Sequence, residues 1–569
     1  SQVPQSPVIS KWQGDLLNDV SPDAPHDVSS RIRFEDHAEQ RGLVFQYENG
    51  ASDRKLITET IGGGVAIDDF DQDLLSDVFL PQGIPVGSGR PLTTTHDVLF
   101  RQTHNGRFHD VSRLANVCDA ANASVQPGHG LGCTVADFDN DGFRDLFVCN
   151  LGVNHLYRNN GDGTFSLVES DAIGQSRECT SSAAFCDLNA DGDPDLYVVN
   201  YVSDWNRVCK NADGLPATCD PRQFTGGQDR LYLNNGNGDF VDITDSAGIV
   251  NPDGKGLGVV VADMDQDGRP DLYIANDGVP NSLFLNRSDA DGVSFVESGM
   301  QNGVAVGADG RSEAGMGIAC ADFDGNATPD LVVTNFYREP NRLYLNYGAA
   351  LFRDQTHEWS LDAVSRETLG FGIQPIDVDL IGTTDLVIMN GDIDDYSSSG
   401  RPWKMKPQLL LNISNQRFSD VSSSAGTVFQ QAVLGRGLAS GDLNQDGITD
   451  LIAVCHDRPV LLLTNLTPAL PQAVSLKLTG TTGNRDSFGA VIQCQGQRTL
   501  TYWVNAGDGY ASSNSNWLTV PAQAVERGVV IRSQHSEESV QISPETDRVM
   551  LIEGAAGKRW RAVELPRGK

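Results

Sequence analysis

The sequence predicts an all-β protein, and three observations carry that reading. A nine-residue acidic loop, clearest as DFDNDGFRD from Asp137 to Asp145, recurs along most of the 569 residues. Each copy is flanked by short alternating apolar runs, such as DLFVCN and HLYRNN, which read as strands. The composition agrees, since 59 glycines serve turns and 7% aromatic content suits a loop-rich fold better than a helical one.

The copies set the order of the chain. Residues 1–30 are polar, carry Pro4, Pro7, Pro22 and Pro25, and read as an extended N-terminal arm. An F-x-D strand follows at Phe34 and returns at Phe108, Phe165, Phe240, Phe295, Phe352 and Phe418, with looser versions at Phe165 and Phe295. Between these copies stand a glycine-rich apolar run, the acidic loop, a second strand and a third strand ending in L-x-N. The loops begin at Asp69, Asp137, Asp187, Asp263, Asp322, Asp377 and Asp442, a period near 60 residues. Four short strands per period is the pattern of a β-propeller blade. The last unit lacks its F-x-D strand, and the first F-x-D strand lacks the three before it. The expected fold is therefore a seven-bladed β-propeller over residues 31–467, closed by its N-terminal strand, which removes exposed sheet edges.

Oxygen-bearing side chains at positions 1, 3, 5 and 9 of a tight turn converge on one point. That suits a hard cation taking six to eight oxygens, and calcium (Ca2+) is the expected cofactor. A glycine at position 6 allows the sharp turn; Leu74 stands there in loop one. These loops resemble the FG-GAP, or VCBS-type, repeats of integrin-α-like propellers. The resemblance implies calcium held by positions 1, 3, 5 and 9 and a backbone carbonyl at 7. The implied ligands are Asp69, Asp71, Asp73 and Asp77 in loop one, and Asp137, Asp139, Asp141 and Asp145 in loop two. Loop three offers Asp187, Asn189, Asp191 and Asp195; loop four offers Asp263, Asp265, Asp267 and Asp271. Loop five offers Asp322, Asp324, Asn326 and Asp330, and loop seven Asp442, Asn444, Asp446 and Asp450. Loop six has Ile381 at position 5 and is left outside the set, so about six structural ions are expected.

After Thr467 the stretch LTPALPQ reads as a linker, and residues 468–569 as a small C-terminal β domain. GNRDSFGAVIQ (Gly483 to Gln493) and GDGYASSNS (Gly507 to Ser515) resemble the ASPIC/UnbV domain that follows FG-GAP propellers in cartilage-acidic-protein-like chains. The W-P-x-G-like segment usual near that domain's end is absent. The resemblance carries no enzymatic activity.

A formal net charge of −34 excludes nucleic acid and anionic membrane surfaces as natural partners. No run approaches the ~20 apolar residues of a membrane span. The start, SQVPQSPVIS, has no signal-peptide character, and calcium loops at this density suit a secreted, extracellular or periplasmic protein. Cys209 and Cys219 bracket one polar insertion and are expected to form a disulfide. Cys133, Cys149, Cys186, Cys320 and Cys455 lie in apolar runs and read as small buried hydrophobes. N-x-[ST] sequons stand at Asn122, Asn286, Asn326, Asn412 and Asn465.

Ligand recognition is expected on the face opposite the calcium loops, around the central channel. The candidates are His129, Trp205, Lys255, Asp277, Glu313, Arg338, Asp392, Tyr396 and Arg436, with insertions 203–229 and 391–407 enlarging that face. The favoured function is a non-catalytic adhesion platform for a protein or glycan partner. The alternative is a secreted lyase or hydrolase acting on carbohydrate, with Asp277, Glu313 and Asp392 as acid or base and Lys255, Arg436 or His129 stabilising charge.

Overall fold

The computed structural model describes residues 31–85, 96–118, 128–170, 172–173, 178–211, 214–236, 238–533, 536–543, 545–554 and 559–565. The N-terminal arm and Asn122 lie outside them. Strands dominate, as the alternating runs require, and the helical pieces are single turns.

Among the described residues, the repeats form seven antiparallel sheets, each with four strands in chain order. Sheet two is representative: His129–Ala136, Asp145–Leu151, His155–Asn159 and Phe165–Leu167. The seventh takes its fourth strand from the other end of the chain, where Phe34–Asp36 pairs with Leu461–Asn465 and Phe34 lies opposite Asn465. The first strand of each sheet lies beside that of the next, and Gly435–Gly441 of sheet seven lies beside Ala66–Asp68 of sheet one. The succession thus returns to its start.

The glycine-rich runs before the acidic loops explain this close approach. A Cβ on Gly317 would stand 2.2 Å from the Phe371 carbonyl oxygen, and one on Gly372 2.4 Å from that of Arg436. A Cβ on Gly437 would meet the Gly63 oxygen at 2.1 Å, joining the last sheet to the first. Only glycine lets neighbouring inner strands pack backbone to backbone.

The L-x-N asparagines clasp the sheets from outside. Asn159 donates from Nδ2 to the Phe70 carbonyl of sheet one at 2.8 Å, and Asn234 to the Phe138 carbonyl of sheet two at 2.7 Å. Asn286, Asn346, Asn412 and Asn465 repeat the bond to Leu188, Met264, Phe323 and Val378. Gln102 completes the series, donating at 2.6 Å to Leu443 of sheet seven. Three sequons therefore coincide with buried clasps: Asn286, Asn412 and Asn465 are at most 2% exposed.

The C-terminal residues build two further sheets. Ala473–Thr479 lies between Leu518–Pro521 and Arg548–Ile552, and the latter pairs with Arg561–Leu565. The second sheet orders Thr499–Trp503, Val491–Gln495, Val529–Ser533 and Ser536–Val540. Between them, residues 506–515 leave this unit and run among the inner strands of the repeats. Ala506–Gly507 pairs with Gly256–Ala262, Gly509 exchanges backbone bonds with Ile318, and the Cys133 N–H donates to the Ala511 oxygen. Tyr510 stands at the tip, edge-on to Phe371 at 5.2 Å, with its hydroxyl accepting from the Gly62 N–H. The space expected to be an open channel is filled by the protein's own chain.

Candidate functional site

Each acidic loop is shaped by two left-handed residues and a set of carboxylate-to-backbone bonds. In loop two, Asn140 and Gly142 have φ of 57° and 100°. Asp137 Oδ2 accepts from the Gly142 N–H, and Asp141 Oδ1 accepts from the Phe143 N–H, both at 2.8 Å. Asp145 at position 9 accepts from the Phe138 N–H and, at 2.7 Å, from the Asn159 N–H of the third strand. Position 9 therefore anchors the loop to the sheet as well as contributing an oxygen. The position-6 glycine is dispensable: Leu74 and Ala327 hold φ of 69° and 64° in loops one and five.

Three carboxylate oxygens lie within 4.8 Å of one another in loops one (Asp69, Asp71, Asp73), two (Asp137, Asp139, Asp145), four (Asp263, Asp265, Asp271) and five (Asp322, Asp324, Asp330). Loop six does the same through Asp377, Asp379 and Asp385, although the sequence reading excluded it. Ile381 removes one oxygen, but positions 1, 3 and 9 are placed by the turn and the sheet, independently of position 5. In loops three and seven an asparagine takes position 3, and the amides of Asn189 and Asn444 donate to Asp191 and Asp446.

The electrostatics ask for a cation. Burial pushes Asp137 up to about 6 and Asp145 to about 9, far above ordinary carboxylates. Burial also lifts Asp195, Asp271 and Asp330 well above their usual range. Oδ1 of Asp137, Asp379 and Asp442 is buried without a hydrogen-bond partner. All-oxygen donors, crowded and desolvated, with orphaned lone pairs, fit calcium. Arginines supply only part of the compensation, as where Arg158 pairs with Asp139 and Arg287 with Asp265 and Asp267.

The C-terminal unit sits across this loop face. Asp486 Oδ2 accepts from the Asp137 N–H at 2.8 Å, and Arg485 Nε lies 3.2 Å from Asp137 Oδ2. Arg144 bridges Asp68 and Asp486. Arg498 donates to the Ile381 carbonyl of loop six, and Arg548 to that of Leu74 in loop one. The GNRD run is thus a docking element for loops two and three, and GDGYASSNS is the segment inside the ring of inner strands.

On the opposite face the nine candidate residues do not line one open pocket. His129 is 2% exposed, Nδ1-bonded to the Ile84 backbone, and pushed down to about 4 by burial. Lys255 is buried with Nζ 2.7 Å from Asp253. Arg436 is buried among the carbonyls of Thr60, Gly391, Gly435 and Asp392, with Phe371 4.0 Å beneath its guanidinium. Asp277 accepts from the Tyr201 hydroxyl at 2.5 Å, Glu313 holds Arg342, and Asp392 holds Arg401. The three acids of the enzymatic reading are thus turned to three different partners. What the structure does bring together is a rim. Arg401 lies 4.5, 5.0 and 4.9 Å from the rings of Phe336, Tyr337 and Tyr396, with Arg338 over Tyr337. Phe336 and Arg401 were missed because their roles depend on an insertion folding back. Trp205 lies in the first insertion, 203–229, which is closed by the expected Cys209–Cys219 disulfide and packs against the same cluster as Ile393 of the second. Cys133, Cys149, Cys186, Cys320 and Cys455 are free and buried, as read from the sequence.

Comparison with known proteins follows the repeats. The FG-GAP-like repeat family matches residues 137–198, 223–274 and 263–333. Mouse cartilage acidic protein 1 is 27% identical over 338 residues, covering 58% of this chain and 48% of that protein. Human integrin alpha-7 is 32% identical over 160 residues, 27% of this chain and 12% of that protein. The chain thus spans at most about half the length of these relatives. Among solved structures, an Agrocybe aegerita lectin recognising terminal N-acetylglucosamine aligns with a TM-score of 0.37 at 17% identity, covering 65% of this chain and 88% of the lectin.

Proposed function

We propose that this chain, an FG-GAP-repeat protein related to cartilage acidic protein 1 and integrin alpha, is an extracellular binding platform stiffened by calcium. In this reading residues 31–467 form a closed seven-bladed propeller, and residues 468–569 an ASPIC/UnbV-like domain docked beneath it. The observation that carries the reading is the distribution of free surface. The acidic-loop face is occupied by the C-terminal unit and the centre by residues 506–515, so the opposite face is left for a partner. That face carries the aromatic rim of Tyr337 and Tyr396 with Trp205 and Arg338, the residue types that dominate binding energy at protein interfaces.

Calcium is structural in this proposal. Six regular loops, and loop six through its three converging acids, hold the cation by Asp and Asn oxygens, and its charge offsets their mutual repulsion. The partner is a protein or glycan, and the relatives' extracellular setting supports the protein. The test joins two measurements. Metal analysis of the dialysed protein should give about six ions per chain from the regular loops, and about seven where loop six is filled. Binding to extracellular-matrix extracts should fall for Tyr396→Ala and Trp205→Ala at unchanged melting temperature. A metal-free protein of undiminished stability, or binding untouched by both variants, sinks the reading.

A further inference from the structure

The second sheet of the C-terminal unit presents two unlike faces. Ile492, Cys494 and Leu500 point into the unit's core. Val491 lies opposite Trp503 and Gln493 opposite Thr501, so these four side chains share the other face, which turns toward the ring of repeats. This face does not close onto the repeats. Two clefts remain beneath it, of about 230 and 310 Å3, and Thr501 and Trp503 line both. The inner cleft reaches Gln374 and Ser440 of the inner strands; the outer reaches Asp263 and Gln266 of loop four.

The polar groups here are left with spare bonding capacity. The indole N–H of Trp503 and the side-chain amides of Gln493 and Asn516 donate no hydrogen bond to the described residues. Asp508 faces the inner cleft and takes part in no ion pair among the described residues. It is held there at a cost. Asp508 has φ of 78° between Gly507 at 75° and Gly509 at 86°, three successive left-handed residues. Side chains seldom adopt that conformation, and backbone of this kind concentrates at functional positions. Its carboxylate accepts from the Gly509 N–H at 2.9 Å and retains lone pairs toward the cleft.

The chemistry selects one ligand class. Anions are disfavoured because the nearby cations are engaged, Arg532 with Glu537 at 2.8 Å and Arg144 with Asp68 and Asp486. Organic cations want several free acids or an aromatic cage, and neither is here. Glu537 is held by Arg532, Asp263 and Asp377 belong to the acidic loops, and the second indole, Trp517, is covered by Arg548, which leaves Asp508 beside Trp503. Apolar side chains would bury the unpaired amides at a penalty. A pyranose fits: its C–H face stacks on a flat ring, and its rim of hydroxyls bonds amides and a lone carboxylate. We propose that the cleft between the C-terminal unit and the repeats binds a short neutral oligosaccharide. Trp503 is the stacking platform at its centre, with Gln493 on the outer side and Asn516 and Asp508 on the inner.

The test uses the full chain in excess calcium. Maltotriose, cellotriose, xylotriose, mannotriose and triacetylchitotriose are titrated by calorimetry and saturation-transfer NMR. At least one should bind in the millimolar range or tighter. Trp503→Ala and Asn516→Ala should each weaken it tenfold or more, and Leu114→Ala, at an exposed residue that lines neither cleft, should leave it unchanged. If Trp503→Ala lowers the melting temperature, Gln493→Ala and Asn516→Ala carry the comparison, because neither side chain holds the fold through a hydrogen bond. The proposal is overturned if none of the five sugars binds, or if binding survives Asn516→Ala and Gln493→Ala undiminished.

Discussion

Replacing Asn159 by alanine should cost the protein about 3 kcal/mol, and the structure says where the loss arises. Asn159 is fully buried, and its Nδ2 serves the carbonyls of Phe70 in the neighbouring sheet at 2.8 Å and Arg144 at 3.1 Å. Its Oδ1 accepts from the Gly161 N–H at 3.0 Å. Alanine would strand two buried carbonyls, each worth about 1–3 kcal/mol when left unsatisfied. The desolvation cost of the amide itself would vanish, which brings the sum to the lower half of that range. Because the backbone N–H still reaches Asp145, the loop anchor survives and the damage is confined to the clasp between sheets. Urea unfolding in excess calcium, read by near-ultraviolet dichroism, should show a lowered midpoint at unchanged slope. The control is Asn160→Ala, whose exposed amide meets only the Thr164 and Ser166 hydroxyls, both exposed contacts, with an expected change within about 0.5 kcal/mol. Equal midpoints for the two variants would refute the clasp as an energetic link between neighbouring sheets.

Other expectations follow from the loops and the central segment. In calcium-stripped protein, burial holds Asp69, Asp137, Asp263, Asp322 and Asp442 at about 6. The unfolded chain releases these protons from about pH 4 upward, so metal-free stability is greatest below that and falls as pH rises through 6. Calcium selects the ionised carboxylates, so excess calcium should reverse the slope; melts across this window with the same sign in both states contradict it. Leu74→Gly should stabilise by a few tenths to about 1 kcal/mol, since a left-handed leucine at φ 69° costs about 1–2 kcal/mol and glycine's entropic penalty is smaller; a lowered midpoint in calcium counts against it. Tyr510→Ala should cost about 3–5 kcal/mol, the usual loss for a buried aromatic. Protection of the Cys133 and Ile318 amides from hydrogen exchange should fall with it, and unchanged protection would show that residues 506–515 do not support the inner strands.

Much of this fold was legible because the repeat multiplies every weak signal. A single F-x-D or L-x-N triplet means little, yet copies at a fixed offset from an acidic loop marked strands that the structure places where expected. Register was equally readable, since the missing fourth strand of the last unit could be supplied only by Phe34–Asp36. What escaped the sequence depends on contacts between distant segments. The asparagines were read as strand ends and sequons, because their partners lie in the preceding sheet, about 80 residues or more away in sequence. Loop six was discounted at Ile381, although the convergence of Asp377, Asp379 and Asp385 is set by backbone placement. The candidate residues of the opposite face were chosen as exposed loop groups, and several proved to be internal ties. Polar residues at the mouth of a glycine-lined ring are as apt to satisfy buried carbonyls, as Arg436 does four times, as to meet a ligand.

The central segment also changes what the two units are to each other. Inner strands that approach through glycines leave backbone groups and an axial gap that their own small side chains cannot fill. Residues 506–515 supply both needs, giving backbone bonds to five inner strands and an aromatic tip against Phe371 and Gly62. At the same time Arg485 and Asp486 seize loop two from below, one on the carboxylate and one on the backbone of Asp137. A cation bound at Asp137 therefore competes with Arg485 for the same oxygen while firming the backbone that Asp486 holds. With a cation in loop two, metal binding and docking of the C-terminal unit would be thermodynamically linked there. Arg485→Ala should tighten calcium at that loop even as it loosens the unit. Calcium titrations of the variant followed by exchange of the Gly142 amide would separate the two effects, and an unchanged affinity would mean that the arginine and the cation occupy different sides of the carboxylate.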